Sequence, residues 1–304
     1  MTAPQPPQQP AFAQAPQPGQ PGMPPQQQWT GPAAPYVYVS PIPVRKANLG
    51  DALRSEWTKI RSVRSTLWTL GVMLVLILGI GLLAAGVVSG TDTELDSDAS
   101  PLGLGFFGVL LSTICVMTLG VLTISSEFGT GLIRTTLTAC PDRARVLTAK
   151  AIVFFLLTFV LTLVATTLVA MFDSAMLADQ WDGEFTGAAY FKATVGVSLF
   201  IATLGLVALA VGALLRHSAG AITVMLGVVL LPLVVAMFMF GESLEKVRKA
   251  LFEYSIPNQL AVFYGTDASE AASGPTGWEP LWIVLVVAAL ALGGAYTSLV
   301  KRDA

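Results

Sequence analysis

The run Ala151–Phe172, AIVFFLLTFVLTLVATTLVAMF, has 22 residues and contains no charged side chain and no histidine. At a rise of about 1.5 Å per residue, a helix of this length crosses the roughly 30 Å hydrocarbon core of a bilayer. Five similar runs cover residues 67–89, 103–125, 193–215, 219–240 and 281–300. Uniform apolarity over such lengths favours helices over barrel strands of alternating polarity. The sequence therefore predicts an all-α polytopic membrane protein with six transmembrane helices.

The composition supports the same class. Of the 304 residues, 54% are hydrophobic and 12% are charged, whereas a soluble domain carries about 25% charged residues. A net charge of −2 argues against a nucleic-acid binder, and two cysteines with one histidine are too few for a zinc cluster. The sequence also lacks a phosphate-binding Gly-x-x-x-x-Gly-Lys-Ser/Thr loop and a His-Glu-x-x-His pair. We therefore expect no catalytic centre, cofactor site or metal site in this chain.

Residues 1–47 differ from the rest of the chain. They contain 13 of the 19 prolines and nine glutamines. A segment of this kind buries too little apolar surface to offset the entropy of ordering. We expect a disordered Pro/Gln-rich cytoplasmic tail over 1–47 and a six-span transmembrane domain over 48–304.

The basic residues predict the orientation, because cytoplasmic loops of membrane proteins are enriched in Lys and Arg. With both termini inside, 13 of the 17 basic residues lie on the cytoplasmic side, and 14 of the 19 acidic residues lie outside. We expect a multi-pass protein of the cell membrane whose N- and C-termini are cytoplasmic.

Three segments outside the spans are amphipathic. Asn48–Thr66 begins with a possible capping box, Asn48 and Asp51, and predicts a basic helix. This helix either lies in the membrane interface, held by Trp57 and anionic lipid, or also contacts a cytoplasmic partner. Its candidate residues are Arg54, Glu56, Trp57, Lys59 and Arg61.

The second segment, Ser125–Lys150, predicts a short cytoplasmic helix that begins near Glu127 and ends before Pro141, after which Asp142 lies in the first turn of another helix. Docking into a groove of another protein and re-entry into the interface are both open. Its candidate residues are Glu127, Phe128, Leu132, Arg134 and Leu137.

The third segment, Gly241–Pro280, predicts two short outer helices. They either cap an exit path or only cover the bundle. The candidate residues are Leu244, Val247, Leu251, Tyr254 and Pro257.

Two of these segments resemble actinobacterial permeases of the type-2 ABC exporter class. The similar stretches are Ala52–Thr66, ALRSEWTKIRSVRST, and Glu127–Arg134, EFGTGLIR, which is followed by Pro141, Asp142, Arg143 and Lys150. Pro232, Tyr254 and Pro257 fit as well, and the resemblance covers about residues 48–302.

The resemblance implies a dimer of six-span subunits, formed by two copies or by paralogues, and a separate cytoplasmic ATPase that carries ATP and Mg²⁺. It also implies that residues 48–66 form an interface helix, that residues around Glu127–Leu137 couple to the ATPase, and that the helices near 243–264 form an outer gate. We expect the chain to be the permease subunit of an ATP-driven exporter and not itself an enzyme.

The spans lack the Asp, Glu or His that ion-coupled carriers usually place at membrane depth. This agrees with an energy source outside the chain. Two alternatives stay open on the sequence alone. One is a non-transporting anchor or sensor that recruits partners through its Pro-rich tail, and the other is a membrane enzyme.

Overall fold

The computed structural model describes residues 48–91, 100–181, 183, 185–265 and 274–301. The predicted tail at 1–47 lies outside these ranges. Within them the chain forms eleven α-helices and no strand. The helices are α1 (Leu49–Ser62), α2 (Arg64–Ser89), α3 (Phe106–Gly129), α4 (Leu132–Ala139), α5 (Arg143–Met176), α6 (Gly187–Phe191), α7 (Val197–Leu215), α8 (Ser218–Phe238), α9 (Glu245–Glu253), α10 (Ile256–Ala261) and α11 (Glu279–Lys301).

Six helical runs among the described residues are long and apolar enough to cross a membrane. Four of them are α2, α5, α8 and α11. The other two are Pro101–Gly129, in which a 3-10 turn leads into α3, and Gly187–Leu215, in which a π-helical turn joins α6 to α7. The predicted all-α, six-span fold is confirmed.

The helices extend beyond the charge-free runs. The prediction that a helix begins near Glu127 is wrong, because α3 continues to Gly129. The hydroxyl of Ser126 donates to the carbonyl of Leu122 one turn earlier, as it would within a continuous helix. The short helix α4 begins only after Gly131, whose φ of 74° places it in the left-handed region that glycine tolerates.

Two boundaries around α5 also differ from the prediction. Asp142 is the N-cap of α5 rather than a residue of its first turn, and its carboxylate accepts from the backbone N–H of Arg145. The predicted separate helix is therefore the start of span 3 itself. At the other end, α5 extends past the charge-free run and includes the buried Asp173.

The predicted start of α1 is confirmed in detail. The N–H of Asp51 donates to Oδ1 of Asn48 at 2.8 Å, and the N–H of Asn48 donates to Oδ2 of Asp51 at 3.1 Å. This reciprocal capping box satisfies two N–H groups that a helix otherwise leaves unpaired. Val63 adopts an extended conformation and separates α1 from α2.

The core of the described bundle is built around α7, which contacts α3, α5, α8 and α11. Glycine permits the closest of these approaches. A Cβ atom built on Gly120 of α3 would lie 2.5 Å from the carbonyl oxygen of Gly205 on α7, and one on Gly212 would lie 2.9 Å from the carbonyl oxygen of Val121. Close backbone approach of this kind replaces the hydrophobic driving force that lipid removes between membrane helices.

Buried hydroxyls in the spans are satisfied mostly within their own helices. The side chains of Thr158 to Thr166 illustrate this, because Thr162 donates to the carbonyl of Thr158 and Thr166 donates to that of Thr162. One pair joins neighbouring helices, with the hydroxyls of Thr166 and Ser198 3.4 Å apart. These hydroxyl groups therefore bond either their own helix or a neighbouring one.

Contacts between helix ends define two ends of the bundle. At the α1 end, Arg143 at the start of α5 donates to the carbonyl of Leu299 near the end of α11. At the α10 end, Gln180 donates to the carbonyl of Ser89 at the end of α2. The helices therefore alternate in direction, as six successive spans require.

Candidate functional site: a buried charge cluster at the α1 end

Four charged side chains meet at the α1 end and form what we call the charge cluster: Glu56, Lys59, Glu127 and Lys150. Nζ of Lys59 lies 2.8 Å from Oε1 of Glu56 and 2.9 Å from Oε1 of Glu127. Nζ of Lys150 lies 2.5 Å from Oε2 of Glu56 and 2.9 Å from Oε1 of Glu127. Each lysine thus bonds both carboxylates in a closed ring of alternating charge.

The charge cluster is largely removed from solvent. Only 3% of Glu56, 6% of Glu127 and 2% of Lys150 is exposed. Buried charges are costly unless they are paired and hydrogen-bonded. The cluster meets this requirement with two positive and two negative groups, although Oε2 of Glu127 has no hydrogen-bond partner among the described residues.

Lys59 is the half-buried member of the charge cluster. Burial by itself lowers its pKa, but the hydrogen bonds and negative charges of Glu56 and Glu127 outweigh this effect. The pKa of Lys59 is consequently raised above its ordinary value of 10.5. Lys59 therefore stays protonated at neutral pH.

Three separate elements deliver the four side chains. Glu56 and Lys59 are three residues apart on α1, so they share one face of that helix. Glu127 lies in the last turn of α3, beyond the apolar run, and Lys150 lies about two turns into α5. The charge cluster therefore fastens α1 to the ends of two membrane helices.

The short helix α4 is attached to the same cluster. Nζ of Lys59 donates to Oγ1 of Thr136 on α4 at 3.3 Å, and Ile133 is buried beneath the helix. The opposite face is open: Leu132 is 55% exposed, and Arg134, Thr135 and Thr138 are also exposed. One face of α4 thus packs against the protein, and the other face is exposed and can contact another molecule.

A second contact connects this end to α7. The guanidinium of Arg216, at the end of α7, lies 5.0 Å from the ring centre of Phe128 on α3. Arg216 has a φ of 53°, which places this residue in the left-handed region. The neighbouring His217 caps α8 by accepting from the N–H of Gly220, so it acts as a surface cap rather than a ligand.

The structure brings together only some of the site residues that the sequence suggested. Glu56 and Lys59 of the interface group meet Glu127 of the coupling group. Phe128 lies in α3 rather than in a separate short helix, and Leu137 is half-buried. Arg54, Trp57 and Arg61 are exposed and lie outside the cluster.

The candidate residues of the outer segment Gly241–Pro280 also divide into exposed and packed positions. Leu244, Val247 and Tyr254 are exposed and Leu251 is only partly covered, so α9 does not bury its predicted apolar face within the described residues. In contrast, Pro257 opens the well-packed α10, and Phe263 just after it contacts Phe200 and Trp278.

The sequence did not identify Lys150 and Thr136 as members of one site. The available signal was weak: Glu127 and Lys150 carry opposite charges next to spans 2 and 3 on the same predicted side of the membrane. The arrangement links α1, α3 and α5 through buried ion pairs. Among the described residues, no three His, Cys, Asp or Glu side chains are grouped so that they could hold a metal ion.

Comparison with known proteins identifies the family. The chain matches the family model described as ABC-2 family transporter protein over residues 52–233, which is more than half of its length. The matched region starts within α1 and ends within α8, so it includes the whole charge cluster and α4. The curated proteins include no match to the chain. The chain belongs to the ABC-2 family of transporter proteins and is a multi-pass membrane permease subunit of an ABC transporter.

Proposed function

We propose that the chain is the permease of an ATP-driven exporter and that a separate cytoplasmic ATPase docks on the exposed face of α4. Members of the ABC-2 family generally work with such an ATPase subunit. The observation that carries this proposal is the charge cluster, which attaches α4 and α1 to the ends of α3 and α5.

The proposal assigns a mechanical role to the charge cluster. A push on α4 reaches Lys59 through Thr136, and Lys59 bonds Glu127 at the end of α3. Lys150 passes the same displacement to α5. Close packing makes helices shift as units rather than deform continuously, so movement at α4 tilts the spans.

The orientation follows from the charge distribution. The α1 end is cytoplasmic, because the segments that meet there carry most of the basic residues. ATP and Mg²⁺ bind to the ATPase rather than to this chain. A second permease subunit, identical or paralogous, completes the membrane unit in the cell membrane, and export is the direction typical of the class that the sequence resembles.

Charge reversal on α4 tests the docking surface. Tagged full-length chain is extracted from its native membranes in mild detergent, and co-purified ATPase subunits are identified and quantified by mass spectrometry. We expect Arg134→Glu to reduce the co-purified ATPase about tenfold, which corresponds to about 1.4 kcal/mol. Arg134 is exposed, so the variant should fold normally.

Lys246→Glu is the matched control, because Lys246 is an exposed basic residue on α9. It should leave the amount of ATPase unchanged. Absence of any ATPase subunit from the wild-type preparation would contradict the proposed function. If Arg134→Glu co-purifies as much ATPase as the wild type does, α4 is not the docking surface.

A further inference from the structure

A groove runs between α1 and α5 beside the charge cluster but outside it. Its volume is about 600 Å³, and eight of its nine lining side chains are apolar. The α1 wall consists of Leu53, Arg54 and Trp57, and the α5 wall runs from Ile152 to Leu161. Ligand sites typically enclose about 300–1,000 Å³, so the groove is large enough for a bound small molecule.

The length of the groove matches one leaflet of a bilayer. The nine steps from Ile152 to Leu161 on α5 correspond to about 14 Å at the helical rise. Half of a hydrocarbon core of roughly 30 Å is about 15 Å. A single acyl chain that starts at the α1 end therefore spans the apolar wall from one end to the other.

The charge in the groove selects the headgroup. Arg54 is the only charged side chain among the lining residues, it is exposed, and it forms no ion pair with any of the residues that the structure describes. Its neighbour Glu56 points into the charge cluster, where both of its oxygens are bonded by lysines. An unpaired guanidinium at the end of an apolar groove suits a phosphate next to an acyl chain.

We propose that this groove binds one anionic phospholipid, with an acyl chain along Ile152–Leu161 and the headgroup phosphate on Arg54. This site is more specific than general attraction of a basic helix to a charged surface, because it requires one arginine and one apolar wall. It does not depend on ATPase docking. The bound lipid fills the space between α1 and α5 and so supports the position of α1 over the bundle.

The test uses purified full-length chain from which lipid has been washed in mild detergent. The chain is titrated with phosphatidylglycerol or with phosphatidylcholine of identical acyl chains, and retained lipids are counted by native mass spectrometry. We expect one phosphatidylglycerol per chain, retained about fivefold more strongly than phosphatidylcholine, as one basic contact to an anionic headgroup provides.

Two pairs of variants distinguish the contribution of the headgroup to binding from that of the acyl chain. Arg54→Gln should abolish the preference for phosphatidylglycerol, whereas Arg61→Gln, which removes the same charge from an exposed position on the same helix, should keep it. Leu156→Trp should fill the groove and release both lipids. Leu168→Trp is its control, because Leu168 lies outside the groove and is 50% exposed, compared with 52% for Leu156.

Several outcomes would overturn the proposal. Equal loss of preference in Arg54→Gln and Arg61→Gln would indicate diffuse charge attraction, and full lipid retention by Leu156→Trp would show that the groove is not the site. If the lipid-free chain is a dimer and Leu156→Trp dissociates it, the groove binds a second copy of the chain instead of a lipid. If removal of residues 2–44 strengthens lipid retention, the groove is instead the binding site of the tail.

Discussion

At the scale of single residues, the stability of the charge cluster depends on its equal numbers of positive and negative groups rather than on any one hydrogen bond. Glu56 and Glu127 each accept from both lysines, so removal of one ion leaves an excess of the opposite charge in a buried place. Removal of one partner from a buried ionic group typically costs about 3–5 kcal/mol, whereas removal of a balanced pair can be nearly neutral.

The balance predicts a non-additive pair of substitutions. Lys150→Met should lower the free energy of unfolding by about 3–5 kcal/mol, because it leaves two carboxylates and one ammonium buried together. Adding Glu127→Gln should recover part of the loss, since the remaining Glu56–Lys59 pair is neutral overall. The coupling energy should reach up to about 3 kcal/mol, measured by unfolding of the purified chain in detergent.

An exposed ion pair provides the control for this cycle. Nζ of Lys249 lies 2.8 Å from Oε1 of Glu245 on α9, at a distance like those in the charge cluster, but both side chains are about half exposed. Lys249→Met should change stability by less than about 1 kcal/mol. Additive effects of Lys150→Met and Glu127→Gln would show that burial does not couple the four charges.

At the scale of elements, the sequence predicts the spans well because lipid leaves the backbone few choices. A charge-free run of about 20 residues must satisfy its own hydrogen bonds, so its helical state and its approximate bounds follow from length and apolarity. The capping box of α1 is equally local, since Asn48 and Asp51 are three residues apart. The ends of α3 and α5 could not be predicted, because backbone hydrogen bonding continues past the last apolar residue.

The charge cluster itself was beyond sequence reasoning for a related reason. Its members lie on three helices, and nothing local brings Glu56 to Lys150, which is 94 residues away. Burial on α1 also does not follow hydrophobicity alone, because Leu49 and Trp57 are exposed whereas Glu56 is buried, as is Ile60. The burial of a polar residue such as Glu56 can be recognised only when the positions of the partner helices are known.

Close packing of α3 against α7 makes a prediction at the same scale. Gly120→Ala adds a methyl group 2.5 Å from the carbonyl oxygen of Gly205, where backbone blocks its way. The two helices must separate, and we expect a loss of about 1–3 kcal/mol in unfolding free energy. Thermal unfolding in detergent measures this loss as a lower midpoint.

Gly79→Ala tests whether the loss comes from packing or from the substitution itself. Gly79 lies on α2, and nothing lies within 4 Å of the position that its added methyl group would take. Its replacement should not destabilise the protein, because alanine is the better helix former and nothing blocks its methyl group. An equal loss in both variants would mean that α3 and α7 are not held by close backbone approach.

At the scale of the whole molecule, the spans fall into a buried centre and an open periphery. Within the described bundle, 78% of the most apolar stretch of Gly187–Leu215 is buried, compared with 22% for α2, α8 and α11. Since α7 contacts four of the other spans, it forms the centre of the described bundle. The two ends of the bundle differ accordingly: one carries the charge cluster and α4, and the other carries α9 and α10.

This asymmetry makes the proposed orientation testable by labelling single cysteines in intact cells. In a background with Cys115→Ser and Cys140→Ser, Lys246→Cys on α9 should react with a membrane-impermeant maleimide without permeabilisation, because the proposed orientation puts the α10 end outside. Thr135→Cys on α4 should react only after the membrane is opened, because the positive-inside rule places its end in the cytoplasm. Both positions are exposed within the described structure, so accessibility reports the side of the membrane rather than burial. The reverse pattern would leave the six-span fold intact but would place α4 where no cytoplasmic ATPase can reach it.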